Sequence, residues 1–272
     1  MLYKNVILAA FNQKYYNMLL LDAVKLINTD YVAFTFFIGF MAMFAATVFF
    51  FLERKSVDKK WQMSLLVSGL ITGIAAVHYY YMRDYYMSFG ETPTFYRYVD
   101  WILTVPLMCV EFYLLTKIAG ATKGLMWRLI IASTWMLVCG YVGEGMNPGG
   151  DGATTHSVLW GVLSTLGYVY VLYHAWMGDV AKLAESSGDA VVQRGVRTLA
   201  WFVLVGWAIY PLGYMAMPGG WLADAWGTIG VTSYSGGVEA AKAVDVFYNI
   251  ADVINKVGFG LVVYNIAITS KS

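Results

Sequence analysis

The chain has 272 residues, of which 59% are hydrophobic and only 13% charged, with a formal net charge of +1. That composition is too apolar for an ordinary soluble domain, and with no basic tract to follow a phosphate backbone, nucleic acid is excluded as a partner. Walker loops, HExxH sequences, nucleophile elbows and internal repeats are all absent, so soluble-enzyme chemistry and a metal centre are not expected.

Residues 1–30 carry one short apolar run, Val6–Phe11, with no cleavage site behind it, and are expected to form an external or interfacial segment. Seven stretches then reach the length of about 20 mostly apolar residues that a membrane span needs. They fall near 31–53, 61–82, 95–116, 125–143, 157–177, 196–217 and 243–268, and a tail follows at 269–272. Connections are short except at 218–242, so the expected fold is all-α: one integral membrane bundle of seven helices, without a second domain.

Basic residues outside the spans set the expected orientation. Arg54, Lys55, Lys59 and Lys60 follow the first span, Lys117, Lys123 and Arg128 lie around the third connection, and Lys182, Arg194 and Arg197 flank the fifth. The opposite connections carry only Arg83 and Lys242. The N-terminus is therefore expected outside and the C-terminus in the cytoplasm, although Lys4, Lys14 and Lys25 run mildly against this. Cys109 and Cys139 fall inside spans and are expected to be packing residues.

Charged groups deep in a bilayer cost at least ~2.5–3.5 kcal/mol on insertion scales, so each one retained there is a candidate for function. The second span holds His78. The third holds Arg97, Asp100, Thr104 and Glu111, at offsets of three, seven and fourteen from Arg97, which form one polar stripe. Asp100 and Glu111 are separated by roughly 16 Å along the helix axis, two stations of a relay. The plainer alternative is a stripe of interhelical contacts in which Arg97 neutralises Asp100.

In the sixth span Trp207, Pro211 and Tyr214 share a face with Tyr210 beside them, either a proline-kinked aromatic core or the wall of a flat slot. The seventh span holds Asp245, Asp252 and Lys256. Asp252 and Lys256 are one turn apart, which fits either a buried ion pair or a lysine desolvated for imine chemistry.

The runs RYVDWILTVPLMCVE at 97–111, WAIYPLGY at 207–214 and YNIADVINKVGFG at 248–260 together resemble the microbial rhodopsins, and within them the proteorhodopsin and xanthorhodopsin group. The resemblance implies a light-driven ion transporter, an outward proton pump, with all-trans-retinal on Lys256 as a protonated Schiff base. It implies Asp100 and Asp252 as counterions, Arg97 as the arginine that steadies them, and Thr104 between the acceptor Asp100 and the cytoplasmic donor Glu111. His78 matches the histidine that pairs with the acceptor, beside the alternative of a hydrogen-bonded core histidine.

Around the polyene the resemblance sets Trp101, Met108, Met136 and Gly140 from the third and fourth spans. It adds Ser164, Thr165 and Tyr168 from the fifth, and Trp207, Tyr210, Pro211 and Tyr214 from the sixth. An apolar Met108 implies green rather than blue absorption. Gly161 matches a window for a carotenoid antenna, or else a close helix contact through a small residue. The remaining implied partners are the lipid of the cell (inner or plasma) membrane, protons, and further copies of the chain in a trimer, pentamer or hexamer. A photosensory receptor, a sodium or chloride pump and a retinal-free seven-helix transporter are the competing readings. External release acids are not matched; Asp224 and Glu239 lie in the long connection without a secure alignment.

Overall fold

The structure, a computed structural model, describes residues 30–148, 152–216 and 237–270. The N-terminal segment before Asp30 and Asp224 of the long connection lie outside the described residues, and the side chain of Glu239 is likewise not described. Every regular element among the described residues is helical, and seven helical runs are long and apolar enough to cross a membrane.

Helix α1 (Tyr31–Glu53) opens on Asp30, whose Oδ1 accepts the amides of Val32 and Ala33 at 2.8 and 3.1 Å and so satisfies two donors of the first turn. Helix α2 (Gln62–Phe89) runs on past residue 82, where its apolar stretch was expected to end, and stops at Gly90 with φ of 69°. The added turns, MRDYYMSF, are amphipathic and aromatic, a composition suited to the headgroup layer; apolar content alone underestimates such an end. Helix α3 (Thr94–Thr116) starts directly after Pro93, and α4 (Lys123–Gly145) is capped by the Thr122 hydroxyl. Helix α5 (Ala153–Trp176) is followed by a short amphipathic α6 (Asp179–Ser186), which extends the fifth run beyond its expected end.

The last two spans are interrupted. The sixth consists of α7 (Ala190–Trp201), a π-helical turn at Phe202–Gly206, and α8 (Ile209–Ala216). The seventh consists of α9 (Gly237–Val253), a π-helical turn at Ile254–Gly258, and α10 (Phe259–Thr269). The expected proline kink is thus a break upstream of Pro211. Pro211 has no N–H to return to the Trp207 carbonyl, which is taken up instead by the Tyr210 amide at 3.2 Å.

The two π turns face each other. Asn255 donates from Nδ2 to the Gly206 carbonyl at 3.1 Å, and the Tyr168 hydroxyl stands 3.0 Å from the carbonyls of both Val203 and Leu204. Wide turns leave carbonyls without their usual helical partner, and in lipid those groups must be satisfied by protein.

Arg97, Asp100, Glu111, Asp245, Asp252 and Lys256 are buried inside the bundle while Phe44, Leu52, Trp127, Ile131 and Leu166 stand exposed around the outside. That inversion is what a bundle dissolved in lipid requires. Cys109 and Cys139 are buried free thiols, as a packing role demands. No cluster suited to a metal ion occurs among the described residues.

Candidate functional site

The π turn of the seventh span carries Lys256 into the centre of the bundle, where the residue is 3% exposed. Its Nζ lies 3.0 Å from Asp100 Oδ2 and 2.9 Å from Asp252 Oδ1. Asp252 is reached from within its own helix, one turn back, and Asp100 comes across from α3. One cation therefore serves two fully buried carboxylates.

The two acids are not equivalent. Asp252 also accepts the Tyr79 hydroxyl at 2.8 Å, the Tyr210 hydroxyl at 2.6 Å and the Trp101 indole N–H at 3.1 Å. Asp100 takes its one side-chain hydrogen bond from Lys256, and no donor among the described residues reaches its Oδ1. One carboxylate is thus saturated with four donors, whereas the other keeps a bare buried oxygen among the described residues.

The stripe on α3 is buried throughout: Arg97, Asp100, Thr104 and Glu111 are each no more than 1% exposed. Thr104 turns its hydroxyl back to the Asp100 carbonyl at 2.9 Å. Glu111 accepts the Ser68 hydroxyl on Oε1 at 3.0 Å, its Oε2 has no donor among the described residues, and no salt bridge reaches it.

Two expected contacts are arranged differently. Arg97 does not bond Asp100; its Nη2 donates to Asp245 and Asn249, both at 2.8 Å, and its guanidinium lies over the rings of Phe36 and Tyr248. Asp245 is in turn bonded by the Thr92 hydroxyl. Arg97 thus has a carboxylate of its own further along the bundle, and Lys256 is left to neutralise Asp100. The His78 ring bonds the Ile74 carbonyl through Nδ1 at 2.9 Å, one turn back on its own helix, and no hydrogen bond to Asp100 is formed among the described residues.

Beside Lys256 lies a cavity with about 860 Å³ of empty space, part of it open to the outside. All the residues expected around a polyene line it: Trp101, Met108, Met136 and Gly140 on one side, Ser164, Thr165 and Tyr168 on a second, and Trp207, Tyr210, Pro211 and Tyr214 on a third. Gly161 lines it as well, and a Cβ there would come within 3.0 Å of the Tyr214 ring. Polar atoms of this wall are tied away from the cavity. Ser164 bonds the Met136 carbonyl, Thr165 that of Gly161, and Tyr214 that of Ser157, while Trp101 and Tyr210 are committed to Asp252. What remains is a largely apolar slot that carries the Lys256 amine and the unpartnered Oδ1 of Asn255.

Sequence reasoning missed the hydroxyl and amide groups that support the charges. Ser68 was legible in part, because Ser64, Ser68 and Thr72 recur every fourth residue on α2 as a polar stripe facing the one on α3. Tyr79, Asn249 and Asn255 carry no such signal: a single tyrosine or asparagine in a span is ordinary until its partner is known. Tyr98, Val105, Leu137, Met215 and Asn255 complete the cavity wall.

A buried lysine between two aspartates, beside an aromatic slot inside seven helices, defines a membrane bundle built around one internal amine. The family model for bacteriorhodopsin-like proteins matches residues 30–270, and the chain belongs to that family. It is 39% identical over 245 residues to the green-light absorbing proteorhodopsin of Gamma-proteobacterium EBAC31A08, covering 90% of this chain and 89% of that one. Identity to the blue-light absorbing proteorhodopsin of Gamma-proteobacterium Hot 75m4 is 40% over 247 residues, with the same shares covered. Among solved structures, blue light-absorbing proteorhodopsin from Med12 matches with a TM-score of 0.68 at 39% identity, over 88% of this chain and 98% of that one. Xanthorhodopsin, described as a light-driven ion pump with dual chromophore, matches with a TM-score of 0.70 at 30% identity, over 87% and 91%. The chain is accordingly a multi-pass protein of the cell membrane.

Proposed function

We propose that this protein is a light-driven outward proton pump that carries all-trans-retinal on Lys256, with Asp100 as proton acceptor and Glu111 as cytoplasmic donor. The observation that carries the reading is the unequal pair around Lys256 Nζ: a saturated Asp252 and an Asp100 with one oxygen free. The cavity fits the group, since a flat apolar polyene with one carbonyl end matches a largely apolar, aromatic slot lined by the Lys256 amine. Bound there as an imine, retinal supplies visible-light absorption and an isomerisation that drives the cycle.

Asp252, held ionised by its donors, keeps positive charge on the Lys256 nitrogen and does not compete for its proton. Asp100 stands one hydrogen bond away on Oδ2 and is free to take that proton. Glu111, neutral in its apolar surroundings, then returns a proton to the nitrogen from the far end of the stripe and refills from the cytoplasm. Thr104 lies on the stripe between them. Moving one charge against 100 mV costs about 2.3 kcal/mol, within reach of a photochemical step.

The distribution of Arg and Lys supports an external N-terminus and a cytoplasmic C-terminus, which puts Glu111 on the cytoplasmic side. In this reading residues 31–268 form the retinal-binding domain, 1–30 an external or interfacial segment and 269–272 a tail. Met108, apolar and 1% exposed, favours absorption in the green. Gly161 is only partly buried and Thr165 is exposed although both line the cavity, which favours an opening toward lipid where a carotenoid antenna could lie.

Illumination of cells or vesicles that contain the retinal-loaded protein should acidify the outer medium, and a protonophore should abolish the change. A visible pigment that produces no light-dependent pH change would falsify the pump reading.

A further inference from the structure

On the outside of the bundle an open groove runs between the last two spans, toward the end where Glu111 lies. Arg194 and Thr198 of α7 form one bank, and Leu261, Asn265 and Thr269 of α10 form the other. Gly195 lies between them, where a Cβ would collide with the Ile266 side chain, so the two helices approach closely only because this residue has no side chain. Beyond the groove Asp189, the N-cap of α7, accepts the Ser270 hydroxyl at the end of α10 and ties the two banks together.

The chemistry of the groove changes along its length, because α7 enters the bundle where α10 leaves it. Arg194, Asn265 and Thr269 lie toward the surface. Thr198 is one turn deeper than Arg194, and Leu261 is two turns deeper than Thr269, about 12 Å at 1.5 Å per residue. Thr198 returns its hydroxyl to the Arg194 carbonyl at 2.9 Å, and Leu261 is 46% exposed, so the deep part presents hydrocarbon. At the shallow part the Thr269 hydroxyl occupies Asn265 Oδ1 at 3.5 Å, and the carboxamide keeps its N–H donors. Arg194 makes no ion pair or side-chain hydrogen bond among the described residues. Arg197, three residues on, is engaged elsewhere: it lies 4.8 Å over the Trp176 ring and bonds that residue's carbonyl. Asp189, the acid nearest to Arg194 in sequence, is committed to the cap and to Ser270.

We propose that this groove binds one anionic phospholipid, with its phosphate on Arg194 and Asn265 and an acyl chain laid along Leu261. A groove on the outer surface of a membrane bundle faces lipid, and this one passes from donors to hydrocarbon in the direction in which a lipid passes from headgroup to chain. A free phosphate would use the shallow part alone. The lining offers a cation and N–H donors but no carboxylate to pair with a choline or ethanolamine ammonium, which selects a headgroup with net negative charge. Basic pockets between spans on the cytoplasmic side, where the Arg and Lys distribution puts this end, are where such headgroups gather. A phosphate bonded to both banks clamps together two spans that are each interrupted by a π turn, and so stabilises the bundle.

The test places the full chain in nanodiscs of phosphatidylcholine, with and without phosphatidylglycerol, and follows the rate of thermal unfolding by circular dichroism. Phosphatidylglycerol should slow unfolding of the unaltered protein about tenfold. Arg194→Gln and Asn265→Leu should each lose most of that protection, whereas Arg197→Gln, which removes an equal charge outside the groove, should keep it. A photoreactive phosphatidylglycerol gives a second readout that needs no substitution: it should label residues 191–198 and 261–269. Equal unfolding rates in the two bilayers, full protection of Arg194→Gln, or labelling confined to other residues overturns the proposal. Equal protection by inorganic phosphate added to phosphatidylcholine nanodiscs assigns the groove to a free anion and overturns the lipid. Neither readout involves light or proton transport, so the result is independent of the pump reading.

Discussion

Asp100 and Asp252 contact the same amine at nearly equal distance, 3.0 and 2.9 Å, yet Asp252 holds three further donors while Asp100 takes its side-chain hydrogen bond from Lys256 alone. Charge alone would make them interchangeable. The neutral donors break the tie, because Tyr79, Tyr210 and Trp101 all point their hydrogens at Asp252 and none at Asp100.

Asp100→Asn should therefore leave a coloured protein and slow proton transfer from the Lys256 nitrogen about a hundredfold or more. Asp252→Asn should instead lower the yield of pigment, since it puts an NH2 group where a carboxylate oxygen accepted a buried donor and removes one of the two charges that compensate Lys256. Light-driven acidification and the visible spectrum of each variant check this; full transport by Asp100→Asn would remove that residue from the acceptor role.

Glu111→Gln should slow the late recovery of the photocycle by about a hundredfold without bleaching the pigment. Ser68→Ala should act on the same phase but only by about fivefold, the equivalent of one hydrogen bond of about 1 kcal/mol. Flash photolysis measures both, and an equal effect of the two substitutions would mean that the Ser68 hydroxyl is as necessary to the transfer as the Glu111 carboxyl.

Acidification should shift the visible band to longer wavelength as Asp100 takes a proton in the dark. The counterion stabilises the positive charge near the Lys256 nitrogen in the ground state, and its neutralisation narrows the gap to the excited state. A spectrophotometric titration of Asp100→Asn should lack this transition; its persistence would assign it to another acid.

Asp189 lies outside the spans and caps α7. Burial opposes its charge, but the Ser270 hydroxyl and the amides of Val191 and Val192 more than offset this and hold its carboxyl below the ordinary value. The folded value being the lower one, the stabilisation is complete above the unfolded value of about 3.9 and fades as pH falls through the folded value. Asp189→Ala should lower stability at neutral pH by about 1 kcal/mol, seen as faster thermal bleaching, and the difference from the unaltered protein should shrink in acid.

Gly206→Ala should destabilise the pigment by about 1–3 kcal/mol, because its methyl group would collide with the Asn255 carboxamide between the two π turns. Asn255→Ala in the same chain should recover part of that loss. Thermal bleaching of the single and double variants gives the coupling, and strictly additive effects would show that the turns do not meet there.

Seven spans, one bundle and the polar stripe on α3 were legible in the sequence, because lipid imposes a length and a hydrophobicity on every crossing and makes each internal charge conspicuous. Arg97, Asp100, Glu111, Asp252 and Lys256 were visible for that reason alone, and the spacing of four between Asp252 and Lys256 already implied their contact. Which charge neutralises which was not legible. Periodicity orders residues within one helix, but Lys256 meets Asp100, and Arg97 meets Asp245, across helices whose rotation depends on packing. Nor could spacing show that the last two spans widen into facing π turns or that Tyr79, Tyr210 and Trp101 converge on Asp252. Ordinary residues such as these become decisive only when separate helices bring them to one carboxylate, and it is the tertiary structure that gives Asp252 three donors besides Lys256 and leaves one Asp100 oxygen without any among the described residues.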